Sequence, residues 1–303
     1  MIATITLNPA VDYTVRIDTL PGPDEIARTD TTRLDPGGKG INVSMYLDAL
    51  GTATVATGLV GGVHGDYLQA ALERASIPHD FVETERSTRL NTTVLTSTAE
   101  YKINQTGPVG DDSQLDAVVA VVERHDPEMV LIAGSLPEKI KPSALTRIAR
   151  AGSWSTVIDV DGQALGELTE GFDICKPNRT ELSVATNRPV ESVSECLSAA
   201  KALRENGDFE VVVGSLDTDG AILATETQCL HAPAVETDVV DTTGGGDALL
   251  AGFLSARDDG GSYRDALRLG IELASCVVAV RGTSLPRASV RGCDPTSVPV
   301  TPI

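Results

Sequence analysis

The sequence predicts an α/β protein in which a mainly parallel sheet lies between two layers of helices, with a small separate sheet attached. Three observations predict it. Short β-branched runs alternate with helix-like segments through most of the 303 residues. An apolar content of 41% is ample for a sizeable core. Two stretches break the alternation and read as successive strands with no helix between them.

The first strand, residues 2–7, runs into Asn8-Pro9-Ala10-Val11-Asp12. Asp12 therefore stands at a carboxyl edge, where a carboxylate either accepts hydrogen bonds from sugar hydroxyls or settles a turn. Strands at 13–18 and 31–34, and then at 80–83, 92–96 and 101–104, build the small sheet. Between them, helix 41–50 follows Asp35-Pro36-Gly37-Gly38-Lys39-Gly40-Ile41-Asn42. Gly37 and Gly38 let backbone approach a ligand, Lys39 brings positive charge, and Asn42 offers both a donor and an acceptor. Strands 54–57, 129–133, 156–159, 172–175, 211–213 and 221–224 alternate with helices 67–75, 113–124, 143–150 and 193–205. Ligands then belong at the carboxyl ends of the strands. Helices 247–257 and 263–280 complete the pattern, and the segment from Pro286 to Ile303 is expected to pack loosely.

Val240-Asp241-Thr242-Thr243-Gly244-Gly245-Gly246-Asp247 is the most informative stretch. Gly244, Gly245 and Gly246 make a turn that opens a helix and leaves backbone N–H groups outward, a ready site for a phosphoryl group. Asp247, expected at the first helical position, either accepts the proton of a hydroxyl beside that anion or steadies the helix dipole. No Lys-Ser or Lys-Thr follows the glycines, so this is not a Walker loop.

Asp241-Thr242-Thr243-Gly244-Gly245-Gly246-Asp247 resembles the signature of the ribokinase-like (PfkB) carbohydrate kinases, with Gly245 where that signature has alanine. Gly37-Gly38-Lys39-Gly40-Ile41-Asn42 is similar to the family's earlier signature, and the two stand in the expected order. Leu7-Asn8-Pro9-Ala10-Val11-Asp12, Thr88-Arg89-Leu90-Asn91, Ala133-Gly134-Ser135-Leu136-Pro137 and Tyr101-Lys102-Ile103-Asn104 resemble the 1-phosphofructokinase and tagatose-6-phosphate kinase branch. The resemblance implies a ribokinase-like three-layer α/β/α sandwich over 1–303, with a β-sheet lid built from about 13–35 and 80–104. It implies that Asp12, Gly37, Gly38, Lys39, Asn42, Arg89, Asn91, Lys102 and Ser135 hold a sugar phosphate. Arg89 would grip the phosphate in a fork of hydrogen bonds, and Ser135 serves equally well as a plain strand exit. Lys176, Asn178, Ser215, Asp217, Asp219 and Gly220 would line the nucleotide site together with Gly244. Asn178 and Glu181, one helical turn apart, read as a helix cap, while the family's Asn-x-x-Glu implies that Glu181 orients Mg²⁺ through water. Asp217 replaces a glycine of that family. The implied reaction is ATP-dependent phosphorylation of a ketohexose phosphate, foremost fructose 1-phosphate to fructose 1,6-bisphosphate. Alternatives are action on tagatose 6-phosphate or fructose 6-phosphate, or a non-catalytic sugar-phosphate sensor.

Net charge is −19, from 43 acidic and 24 basic residues spread along the chain, which argues against nucleic acid and anionic membranes as partners. It reads as adaptation to high salt, with an ordinary acidic cytosolic enzyme as the rival. Five widely spaced cysteines imply no disulfide framework or zinc site, and no basic and apolar leader follows Met1, so a cytoplasmic protein is expected. No apolar run is long enough to span a bilayer. The resemblance adds a homodimer formed through the lid. Four scattered histidines suggest no transition metal, residues 58–65 lack a dinucleotide fingerprint, and no Gly-x-Ser-x-Gly elbow is present.

Overall fold

Alternation along the strands decides the layering. Ala3, Ile5, Val130, Ile132, Ile158, Val212 and Ile222 enter one buried cluster, whereas Ile2, Met129, Leu131, Val157, Val211, Val213 and Leu223 enter another. Odd and even positions thus feed two cores on opposite faces of one sheet. The computed structural model describes residues 1–108, 110–280, 282 and 295–303.

The chain begins with β1 (Ile2–Thr6), β2 (Ala10–Arg16), β3 (Thr32–Gly37), α1 (Lys39–Leu50), β4 (Thr54–Val60) and α2 (Gly62–Arg74). There follow β5 (Val82–Glu83), β6 (Arg89–Leu95), β7 (Glu100–Asn104), α3 (Asp112–His125), β8 (Met129–Ala133) and α4 (Leu145–Arg150). The middle continues with β9 (Ser155–Asp159), α5 (Gly162–Glu167), β10 (Ile174–Cys175), α6 (Arg179–Thr186), α7 (Val193–Gly207) and β11 (Val211–Ser215). The last elements are β12 (Ala221–Ala224), β13 (Cys229–Ala232), α8 (Gly245–Asp258), α9 (Tyr263–Val278) and β14 (Thr301–Pro302).

The large sheet has ten strands in the order β14-β13-β12-β11-β10-β9-β8-β1-β4-β5. Pairing is parallel from β11 through β5 and antiparallel beyond β11. Helices α3 to α7 cover one face, while α1, α8 and α9 cover the other. This is the expected three-layer sandwich. Ser192 and Glu195 close a reciprocal capping box on α7, as Asp111 and Gln114 do on α3, so both helix starts are written in sequence.

The lid is a four-stranded sheet, β3-β2-β6-β7, in which β2 runs parallel to β6 and antiparallel to β3. One expected lid strand is corrected. The 80–83 segment forms β5, which pairs with β4 at the edge of the large sheet. Its two apolar residues, Phe81 and Val82, gave no clue to its partner. The terminal segment is also corrected: Val298 and Val300 are buried in the second core and β14 extends the sheet edge. The expectation for 286–294 lies outside the described residues. Cys175, Cys196 and Cys229 are free, whereas Cys276 is disulfide-bonded. Spacing along the chain cannot say which thiols a fold brings together. Among the described residues, no helix is long and apolar enough to cross a membrane.

Candidate active site

Every loop that carries a candidate residue leaves a parallel strand at its carboxyl end or opens a helix beside it, and the small sheet meets the loops after β1 and β8 through Arg89. Gly244 caps α8 with φ 82, a left-handed conformation that a side chain resists, and the helix runs from Gly245. Asp247 is therefore the third helical residue rather than the first. The N–H groups of Gly245, Gly246 and Asp247 have no i−4 carbonyl within the helix and mark its positive end. Asp241 holds the approach to this turn, accepting from the Thr243 N–H and the Gly282 N–H, each at 2.9 Å.

Asp247 is only 8% exposed. Its Oδ2 accepts from Asn42 Nδ2 at 2.7 Å, tying α8 to α1, and among the described residues Oδ1 accepts no hydrogen bond. Burial, and then the nearby charge of Asp159, push the Asp247 carboxyl up to about 6, against the pull of Asn42, Lys39 and Lys176. A carboxylate with that value is matched to taking a proton from an alcohol near neutral pH.

Asp159, which closes β9, is a site residue that the sequence reading missed. It is fully buried between two ammonium groups, Lys39 Nζ at 2.6 Å and Lys176 Nζ at 3.2 Å. Burial alone would raise its carboxyl, but Lys176 and Lys39 outweigh it and hold Asp159 below its ordinary range. Lys39 also reaches Glu181 Oε1 at 3.4 Å. Burial opposes its charge, yet the carboxylates of Asp159 and Glu181 hold the ammonium above its ordinary value. Lys176 lies against the α8 turn, since a Cβ placed on Gly246 would sit 3.5 Å from its Nζ. The only hint in sequence was one acid ending an apolar strand.

Asn178 and Glu181 form a reciprocal capping box on α6, at 2.8 Å in each direction. The cap reading holds, and the same carboxylate faces Lys39. Ser215 bridges to Asn178 across β11. Asp217 adopts φ 53, a left-handed conformation that glycine takes freely and aspartate tolerates. Gly220 follows with φ 84. Asp219 is engaged by Arg179 Nη2 at 2.5 Å.

On the lid side, Asp12 Oδ1 accepts from Asn91 Nδ2 at 2.9 Å. A Cβ on Gly37 would meet Asp12 Oδ2 at 2.2 Å, so glycine there is what lets this carboxylate sit. Arg89 Nη2 donates to the Asn8 carbonyl at 3.1 Å and to Ser135 Oγ at 3.3 Å, bringing β6 against the β1 and β8 exits. Gly38 and Gly134 adjoin the start of α1, where a Cβ on Gly134 would lie 3.9 Å from the Lys39 nitrogen. Lys102 is not drawn in. It shares the lid face of Asn91 through the β6–β7 register, but its side chain is 59% exposed and pairs with Glu100 at 3.4 Å. Arg33 of β3, also unremarked in sequence, pairs with Asp35 at 2.5 Å and reaches Gly282, where an added Cβ would meet Nη2 at 2.5 Å.

A buried carboxylate with one oxygen unbonded among the described residues, beside the open start of a helix and near two lysines, is an arrangement suited to phosphoryl transfer. The chain belongs to the pfkB family of carbohydrate kinases, whose pattern it matches over residues 4–289. It is 43% identical over 303 residues to a 1-phosphofructokinase of Haloferax volcanii, covering 100% of this chain and 99% of the relative. A 1-phosphofructokinase of Bacillus subtilis is 34% identical, with 91% of each chain covered. Among solved structures, phosphofructokinase-2 from Escherichia coli in complex with substrates and products superimposes with a TM-score of 0.86 at 25% identity, covering 96% of this chain and 97% of that one.

Proposed function

We propose that this kinase transfers the terminal phosphoryl group of ATP to fructose 1-phosphate, giving fructose 1,6-bisphosphate. The observation that carries the chemistry is Asp247, with Oδ1 unbonded among the described residues and its companion oxygen fixed by Asn42 at 2.7 Å. In this reading Asp247 takes the proton of the acceptor hydroxyl. The amides of Gly244, Gly245 and Gly246 and the ammonium groups of Lys39 and Lys176 steady the charge on the phosphoryl group in flight. Asp12, Asn91 and Asn42 orient the sugar, and Arg89 with Ser135 holds its phosphate. That pairing supplies positive charge at one spot of a protein carrying −19 overall, and it favours a phosphorylated sugar over a free one.

The nucleotide fits along Lys176, Asn178, Ser215 and Gly220. Glu181 and Asp159, the two carboxylates around Lys39, suit Mg²⁺ that keeps most of its waters. When bound, that ion neutralises charge on the nucleotide phosphates. Both oxygens of Glu181 are already engaged, by Lys39 and by the Asn178 N–H, which favours contact through water. The exposed apolar residues Leu34, Tyr101 and Ile103 of the lid support a homodimer formed there. Multiply charged substrates point to the cytoplasm, and the acidity supports a high-salt interior, as in the halophilic relative.

The test is ADP release over a panel of hexose phosphates in high KCl. Turnover of fructose 1-phosphate well above that of fructose 6-phosphate and tagatose 6-phosphate is expected; a preference for either of those, or silence with all, overturns the assignment.

A further inference from the structure

Asn8 belongs to none of the groups assigned above, yet it is buried at 4% exposure in the wall of the phosphate grip. Its Nδ2 donates to the Thr106 carbonyl at 3.3 Å and to Ser135 Oγ at 3.2 Å. Its own carbonyl accepts from Arg89 Nη2 at 3.1 Å, and Arg89 Nη2 in turn donates to Ser135 Oγ at 3.3 Å. The Thr106 carbonyl can only accept, so the amide must present its NH₂ edge to that side. Asn8 Oδ1 is thereby left buried with no partner among the described residues. It is pressed toward Gly107, where a Cβ would come within 2.1 Å of it. An unpaired buried acceptor is destabilising, so the orientation is not one that stability alone selects.

A serine hydroxyl has one proton and two lone pairs. Here two donors, Asn8 Nδ2 and Arg89 Nη2, converge on the oxygen of Ser135. With both lone pairs occupied, the proton has to point away from them, and Ser135 itself is exposed. We infer that Asn8 is a positioning residue for this kinase: it commits the Ser135 hydroxyl to donating, so that Ser135 and Arg89 meet the phosphomonoester of the sugar as two preset donors. The inference rests on the phosphate site proposed above. Without Asn8 the hydroxyl turns freely and donates to the phosphate in only part of its orientations, and Arg89 loses the group that aligns its partner.

The test is a double-mutant cycle on fructose 1-phosphate kinetics with Asn8→Ala, Ser135→Ala and the pair together. Each single change is expected to raise KM for the sugar phosphate about tenfold, the usual scale for one hydrogen bond to a charged group. kcat and KM for ATP should stay within roughly twofold, and the double variant should be no worse than Ser135→Ala alone, because Asn8 acts through that hydroxyl. If Ser135→Ala leaves KM unmoved, the phosphate site itself has been misplaced. If it raises KM but Asn8→Ala does not, or the two effects multiply, only the positioning role falls. A loss of kcat with unchanged KM would show a merely structural asparagine. Should Asn8→Ala not fold, Asn8→Asp keeps the shape but replaces the donor by acceptors. It should abolish the rise in Tm that fructose 1-phosphate gives the unaltered protein, and an intact rise overturns the inference.

Discussion

Asp247 couples chemistry to stability at a single atom group. Its carboxyl, ordinarily at 3.8, is held at about 6, so the folded state keeps a proton that the unfolded chain releases between those values. Stability therefore falls as pH rises through that window, and above about 6 the ionised residue costs the native state on the order of 3 kcal/mol. Asp247→Asn should raise Tm at neutral pH, with the gain disappearing below about pH 4, while kcat drops by roughly 10²–10⁴-fold. A variant with near-normal kcat would remove Asp247 as the base. Asn42 donates to the charged form, so Asn42→Ala should move the acid limb of kcat/KM upward from about 6. A limb that stays in place would mean it reports another group. The identity of these residues was legible because two motifs lie in glycine-rich turns. Asp159 was not, because a lone acid after an apolar strand gains meaning only when Lys39 and Lys176, from two other loops, arrive beside it.

Helix α8 shows how far an element can be read. Its glycines announced the turn, but with Gly244 as cap the helix begins two residues earlier than expected, putting Asp247 in its first turn rather than at its edge. Gly244→Ala forces a Cβ into a left-handed site, at about 1–2 kcal/mol, and tilts the amides away from the phosphoryl group. A fall in kcat of roughly 10²-fold is expected. Gly246→Ala, helical and meeting Lys176 only at ordinary contact, should cost less than about tenfold. Equal losses for the two would indicate that the cap geometry is immaterial. The parallel strands were legible from their apolar runs. The short strands β13 and β14 were not, and β5 was read as a strand but given the wrong sheet, because two to four residues carry too little period to name a partner.

Over the whole molecule, a net charge of −19 opposes compaction unless ions screen it. Tm should rise by several degrees as KCl goes from about 0.1 M to 1 M, where the screening length shrinks from about 10 Å to 3 Å. A flat or falling curve would leave the composition without a salt rationale. The lid offers the second test at this scale. Ile103→Glu places a charge on its exposed apolar face and should convert a dimer to monomers in sedimentation, whereas an unchanged mass would remove that face as the interface.

Strand β2 lies beside β6, yet seventy-odd residues separate them, and β4, α2 and β5 all intervene. The small sheet is therefore not a hairpin that can zip up locally. It must wait for a long crossover to be threaded through the body, a slow and entropically demanding closure. On the ribosome, the first strands can dock early, but the small sheet cannot form around β2 until the chain has emerged past residue 95. A chain truncated before that point would lack β6 and, with it, the partner that completes β2.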